Sequence, residues 1–409
     1  MATELRDIPF IEDLSLKGKQ VFIRVDFNVP IVDGEITDDS RIRAALQTIR
    51  YCMDQGAKVV LGSHFGRPKT EEDRKKLSLE PVANRLQQLL DCEVILIEDP
   101  LSDAPQALLK TLRPNQILLL ENLRFFAGET KNEKGLVDAV SKYADVYIND
   151  AFGASHRAHS SIVGLPAVIK SKAMGFLIKK EIENLNLILK GAESPYIAIL
   201  GGAKVSDKIT IIKDLMNKVD GFIIGGAMAY TFIKAKGLNV GNSLVEKDQL
   251  QFARKLIGGM DARNKQLLLP VDHIVAPRFD ATEGEVKITK DQSIEDGYMG
   301  LDIGPKTRSL YAEAIGKAKT VFWNGPMGVF ENPLFNKGTF AVAEAIAHSN
   351  ATSIVGGGDS ASAARQSGFA DDFTHISTGG GASLEYLQGI AMPGLLALQD
   401  KFREHMIRP

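Results

Sequence analysis

Short runs rich in Val, Ile, Leu and Phe alternate with amphipathic segments of helical period along most of the chain. That alternation restricts the fold more than any other feature. A strand, a helix and a second strand of the same sheet form a right-handed crossover, so the repeated pattern predicts a mainly parallel sheet covered by helices on both faces. Residues 19–25 read as a buried strand that stops in Asp26-Phe27-Asn28-Val29-Pro30. Asp38-Asp39-Ser40 then signals a helix start, followed by Ile42, Ala45, Leu46 and Ile49 at helical spacing, with Gly56 as a cap. Strands follow at 58–62, 94–97, 116–121 and 145–148, with helices around 80–90 and 133–143. The charged tract 70–76 reads as a solvated loop.

Residues 175–189 predict a helix, with Phe176, Ile178, Ile182, Leu185 and Ile188 apolar and Gly191 closing it. Strands resume at 196–200, 221–224, 266–271, 320–323 and 352–355. The expectation is an α/β protein of two doubly wound parallel-sheet (Rossmann-like) lobes joined by a hinge helix, with a first lobe over 1–174, the hinge over 175–191 and a second lobe over 192–392.

Across 409 residues, 49 Lys and Arg against 51 Asp and Glu give a net charge of −2, which argues against a nucleic-acid-coating protein. The apolar runs are strand-length, well short of the roughly 20 residues of a membrane span, so no membrane partner is expected. Residues 1–9 lack the pattern of a secretory signal. Cys52 and Cys92 suit a reducing cytosol and read as structural thiols, although two thiols could in principle pair.

Ligands of open parallel sheets bind beyond the carboxyl ends of the strands. In the first half those ends carry Asp26 and Asn28, then His64 and Arg67, then Arg124, then His156, Arg157 and His159, with Arg41 at the start of the first helix. Guanidinium groups gathered this way suit a small, multiply charged anion. No His-x-x-x-His spacing supports zinc.

The second half differs in kind. Of 37 glycines, four bunches that follow predicted strands lie here: Gly201-Gly202, Gly225-Gly226, Gly356-Gly357-Gly358 and Gly379-Gly380-Gly381. Paired glycines let backbone N–H groups approach an oxyanion, and Lys204 and Lys208 just beyond add positive charge. Asp359, after the third cluster, is a hard-oxygen ligand suited to nucleotide-bound Mg²⁺. Asn324 and Glu331 belong to a polar loop after the penultimate strand. No Walker A pattern is present, and Gly356-x-Gly358-x-x-Ala361 matches a dinucleotide fingerprint only loosely. A nicotinamide-dependent dehydrogenase and a non-catalytic nucleotide-binding scaffold are the alternatives; the arginine cluster has no purpose in the second.

Eight ordered motifs, at 24–30, 63–68, 121–125, 149–161, 201–208, 323–331, 356–360 and 377–385, closely resemble the phosphoglycerate kinase family. The resemblance implies reversible transfer of the acyl phosphate of 1,3-bisphosphoglycerate to ADP, giving 3-phosphoglycerate and ATP, by direct in-line transfer after domain closure. Carried over by position, it assigns the phosphoglycerate to Asp26, Phe27, Asn28, Arg41, His64, Phe65, Gly66, Arg67, Arg124 and Arg157. It assigns the nucleotide to Lys208, Gly300, Asn324, Glu331, Gly357, Gly358, Asp359 and Ser360, with Mg²⁺ at Asp359. Arg41, Lys204, Gly380 and Gly381 would serve the transferring group. Phe65, where leucine is usual, and Met327, where valine is common, depart from the pattern without removing a charged participant. The family further implies a cytoplasmic monomer and a chain end, 393–409, that returns to the first lobe.

Overall fold

The computed structural model describes residues 8–399, so the last ten positions of the implied C-terminal return lie outside the described residues. The described chain forms two compact units. One runs up to Glu183 and takes in the chain again from Gly389; the other is Asn184–Gln388.

The first unit is built on six parallel strands in the spatial order Glu93–Ile97, Gln116–Leu120, Lys58–Gly62, Gln20–Arg24, Val146–Asn149 and Ser171–Met174. Strand order reverses between Gln20–Arg24 and Val146–Asn149, so the loops after these two strands open at a switch point. The central strands are almost wholly buried, as near-continuous apolar sequence requires of a sheet covered on both faces. The helix Ser40–Asp54 buries Ile42, Ala45, Leu46, Ile49 and Cys52, and Gly56 takes the left-handed conformation just beyond its end.

The tract 70–76 is not the loop its composition suggested. Glu71–Lys76 is helical and exposed, held by a capping box in which Asp73 N–H donates to Thr70 Oγ1 (3.2 Å) and Thr70 N–H to Asp73 Oδ2 (2.9 Å). Three acids in its first turn and three bases in its last complement the helix dipole, which compensates for the absent apolar face. Both cysteines are free and buried.

Helix Phe176–Lys190 contains the point where one unit gives way to the other. Its first turn is anchored by the fully buried Asp150, whose Oδ1 accepts from the N–H groups of Leu177 (2.9 Å) and Ile178 (3.3 Å). In the chain from Gly389, Gly394 N–H donates to Ser155 O (2.8 Å), and Asn149 Nδ2 donates to Gly394 O (3.3 Å).

The second unit repeats the plan with parallel strands in the order Gln266–Leu268, Gly221–Ile224, Tyr196–Leu200, Thr320–Asn324, Thr352–Val355 and His375–Ile376. The reversal falls between Tyr196–Leu200 and Thr320–Asn324. One expected strand is shorter than the reading 266–271: it ends at Leu268, because Pro270 has no N–H to give the ladder. Beyond it the chain builds an unexpected antiparallel sheet, ordered Lys287–Ile288, His273–Ala276 and Met299–Ile303. Asp272, fully buried, caps helix Pro305–Gly316 by accepting from Lys306 N–H (3.0 Å) and Thr307 N–H (2.8 Å). Among the described residues no helix is long and apolar enough to cross a membrane.

Candidate active site

In the first unit, the loops after four neighbouring strands bring most of the predicted anion-binding residues together. The turn after Arg24 is shaped by its own side chains: Asn28 N–H donates to Asp26 Oδ1 (3.1 Å), and Asn28 Oδ1 accepts from Gly66 N–H (2.8 Å), tying two strand ends together. Arg41 Nη1 donates to Asp26 Oδ2 at 2.9 Å. Burial opposes ionisation of Asp26, but the charges of Arg41 and Arg24 and the Asn28 N–H outweigh it and hold the carboxyl at about 2.

Arg124 donates from Nη1 to Gly66 O, and Arg157 donates from Nε to Nε2 of His156 (3.1 Å). Arg67 is exposed. Burial, with the like charges of Arg157, Arg24 and Arg67 close by, lowers the Arg124 pKa to about 10. Burial and the guanidinium groups of Arg24, Arg124 and Arg157 lower His159 to about 4 and, against the pull of Asp26, push His64 well below the usual imidazole range, so both are neutral at pH 7. The loop cluster therefore holds more positive charge than its own carboxylates compensate.

Two predicted residues contribute backbone rather than side chain. Phe27 is fully buried, and its N–H donates to Ser63 Oγ (2.8 Å). Phe65, also buried, is clamped by Asn122, which accepts from Phe65 N–H at 3.0 Å and donates Nδ2 to Phe65 O at 2.7 Å. Asn122 also accepts from Arg124 N–H (3.1 Å), so one buried amide sets two loops. Sequence reading missed Asn122, and it missed the fully buried Arg24, which follows the apolar Val21, Phe22 and Ile23 in its strand.

In the second unit the switch point is a close meeting of backbones. Gly201 N–H donates to Asn324 O and Gly202 N–H to Pro326 O, both at 3.0 Å. A Cβ on Gly201 would lie 2.1 Å from Pro326 O, so only glycine permits this approach. Asn324, buried, donates Nδ2 to Gly356 O (2.5 Å) and accepts from Lys208 Nζ. Gly325 N–H donates to Ser360 Oγ (2.6 Å). Gly357 has φ +96°, and a Cβ there would stand 2.7 Å from Asn324 Nδ2. Burial lowers the Lys208 pKa, while Asp207 and Asp359 pull it back.

Beside this junction lies a mostly apolar cavity of about 380 Å³, lined by Gly202, Tyr230, Leu244, Phe279, Met299 and Gly300 among others, with the carboxylates of Glu331 and Asp359 at its wall. A Cβ on Gly300 would strike Tyr230 Oη at 2.0 Å. Leu244 and Phe279 are 51% and 62% exposed, which marks an apolar slot suited to a flat aromatic ligand. Neither was anticipated, since single exposed hydrophobic residues are ordinary in a sequence.

Gly358 opens helix Gly358–Gln366, with Asp359 exposed in its first turn. An exposed carboxylate there fits a Mg²⁺ ion shared with phosphate oxygens. Among the described residues no group of three or more His, Cys, Asp or Glu side chains is placed to hold a metal ion. Lys204 is exposed, Gly380 has φ +55°, and Gly381 starts helix Gly381–Leu387; none of the three lines the cavity.

Comparison with known proteins identifies a family. The phosphoglycerate kinase family model matches residues 11–390. The chain is 57% identical over 403 residues to the phosphoglycerate kinase of Bdellovibrio bacteriovorus, covering 98% of this chain and 100% of that one. Among solved structures, it is similar to phosphoglycerate kinase from Coxiella burnetii (TM-score 0.83, 39% identity, 96% of this chain and 99% of the other). It is likewise similar to that of Pyrococcus horikoshii (TM-score 0.84, 37% identity, 97% and 100%).

Proposed function

Since the chain belongs to the phosphoglycerate kinase family, we propose that the two strand-end sites divide the reaction, with phosphoglycerate on the first unit and the nucleotide on the second. The reaction is phosphoryl transfer between 1,3-bisphosphoglycerate and ADP, giving 3-phosphoglycerate and ATP. The observation that carries the first assignment is the uncompensated guanidinium cluster: Arg124, crowded by Arg157, Arg24 and Arg67, gains most from an arriving anion. The apolar slot with Glu331 and Asp359 at its wall supports the second assignment.

The chemistry needs no general base. In the ATP-consuming direction the nucleophile is the carboxylate of 3-phosphoglycerate, already ionised at neutral pH, so the protein must position the reactants and neutralise charge. Arg124, Arg157 and Arg67 bind the phosphoglycerate; Asp26, paired with Arg41, and Asn28 fix its orientation. Lys208, held by Asn324, faces the nucleotide phosphates, and Asp359 would hold the Mg²⁺ that the nucleotide carries. That ion, when bound, spreads the negative charge of the phosphate oxygens. Lys204, exposed, follows the transferring group, and Gly380 and Gly381 present their N–H groups to it. Transfer requires the reactants in line and shielded from water, which makes helix Phe176–Lys190 the hinge of a closing motion. A cytoplasmic monomer completes the reading.

A coupled assay tests it. Protein, ATP, Mg²⁺ and 3-phosphoglycerate are mixed with glyceraldehyde-3-phosphate dehydrogenase and NADH. NADH loss that requires both ATP and 3-phosphoglycerate is the expected result; oxidation by the protein alone would instead point to a dehydrogenase. Small-angle scattering tests the hinge: compaction with both substrates bound is expected, and an unchanged radius of gyration contradicts it.

A further inference from the structure

Arg24 ends the strand Gln20–Arg24 and is 0% exposed, yet its guanidinium is fully engaged. Nε donates to Ser161 Oγ at 2.7 Å, and Nη1 donates to Val25 O. Ser161 Oγ donates onward to Glu129 Oε1 (2.6 Å), Ser161 N–H donates to Glu129 Oε2 (3.0 Å), and Glu129 Oε1 is 3.9 Å from Arg24 Nη2. Glu129 is itself 0% exposed. This buried lattice fixes the direction in which the remaining Nη2 points, and 3.2 Å away stands Nδ1 of His64.

A guanidinium has donors and no acceptor. Facing Arg24, His64 Nδ1 must therefore be the unprotonated nitrogen, and the proton of the neutral ring must sit on Nε2. Nε2 has no hydrogen-bond acceptor among the described residues; the nearest carboxylate oxygen, Asp26 Oδ1, is 3.9 Å away. We infer that Arg24 is a positioning residue that fixes His64 as its Nε2–H tautomer, so that a neutral N–H donor is held ready for an oxygen of the bound phosphoglycerate. The inference rests on the assignment of this anion to the first unit.

The arrangement makes physical sense in a site already rich in cations. A protonated imidazole beside Arg24, Arg124 and Arg157 would add repulsion, and burial opposes it as well. The other neutral tautomer would turn a lone pair toward an anion. Only the Nε2–H form donates to the ligand without adding charge.

Long-range ¹H–¹⁵N correlation spectra of the ¹⁵N-histidine protein at neutral pH, with His64→Gln to identify the resonance, read the tautomer directly. The expected pattern is an unprotonated Nδ1 and a protonated Nε2 at His64. A protonated Nδ1, or an imidazolium, overturns the inference, and this readout needs no destabilised variant. Arg24→Met combined with Glu129→Gln then removes the guanidinium without stranding its carboxylate. That protein should show a mixture of tautomers and a KM for 3-phosphoglycerate raised about three- to tenfold, with the KM for ATP unchanged. Retention of the pure Nε2–H form in the double variant also overturns the role of Arg24. Failure of the wild-type coupled assay would instead count against the assignment of the anion site, since the spectra report the tautomer whether or not the enzyme turns over.

Discussion

Oδ2 of Asp26 accepts a hydrogen bond from Nη1 of Arg41 at 2.9 Å, joining the loop after the central strand of the first sheet to the first turn of the helix that follows it. The ion pair and the Asn28 N–H overcome the cost of burial and hold the carboxyl at about 2, below its ordinary 3.8. A depressed carboxyl contributes stability that is fully present above 3.8 and is lost as pH falls toward 2. The contribution is about 2 kcal/mol. Urea midpoints measured across this window should fall more steeply for the wild type than for Asp26→Asn. Parallel curves would show that the pair carries no such linkage.

Asp150 has the opposite sign. Burial raises its carboxyl to about 7, despite help from Thr48 and the Leu177 and Ile178 N–H groups at the start of helix Phe176–Lys190. The folded protein thus keeps a proton that the unfolded chain releases near 3.8, and stability declines as pH rises from there to about 7, then levels off. The wild type should lose on the order of 2–4 kcal/mol relative to Asp150→Asn across this range. Thermal melts of both proteins at several pH values check it, and a constant difference between them would contradict the assignment.

Much of this architecture was legible because parallel strands buried on both faces must be nearly all apolar, as Tyr196–Leu200 and Gln116–Leu120 are. The arginines at strand ends were legible for the complementary reason: charge there has little structural use. The antiparallel sheet of His273–Ala276, Lys287–Ile288 and Met299–Ile303 was not, since its strands are short and carry no sustained alternation. Helix Glu71–Lys76 was missed because its support is capping and charge rather than burial. Arg24 and Glu129 escaped notice because their meaning lies in contacts more than a hundred residues apart in sequence for Arg24 and Ser161, which no local pattern encodes.

Lys204 is exposed and can be removed without a packing penalty. If it follows the transferring phosphoryl group, Lys204→Ala should lower kcat by about 10²- to 10³-fold while moving either KM far less and leaving the melting temperature unchanged. Steady-state kinetics in the ATP-consuming direction give the answer, and an unchanged kcat removes Lys204 from the chemistry.

Gly300 sits where a Cβ would meet Tyr230 Oη at 2.0 Å, and both residues line the apolar cavity of the second unit. Gly300→Ala should displace the Tyr230 ring and raise the KM for ATP by about tenfold, equivalent to roughly 1.4 kcal/mol of lost binding. The KM for 3-phosphoglycerate should stay at the wild-type value. Equal effects on both would mean that the cavity is not the nucleotide site.

The central claim is that each unit holds one substrate, and calorimetric titration of two variants with both ligands tests it most directly. Arg124→Ala should lose affinity for 3-phosphoglycerate by at least about tenfold while binding ADP as the wild type does, and Gly300→Ala should show the converse. Wild-type affinity of Arg124→Ala for 3-phosphoglycerate, or loss of both ligands in either variant, would contradict the account.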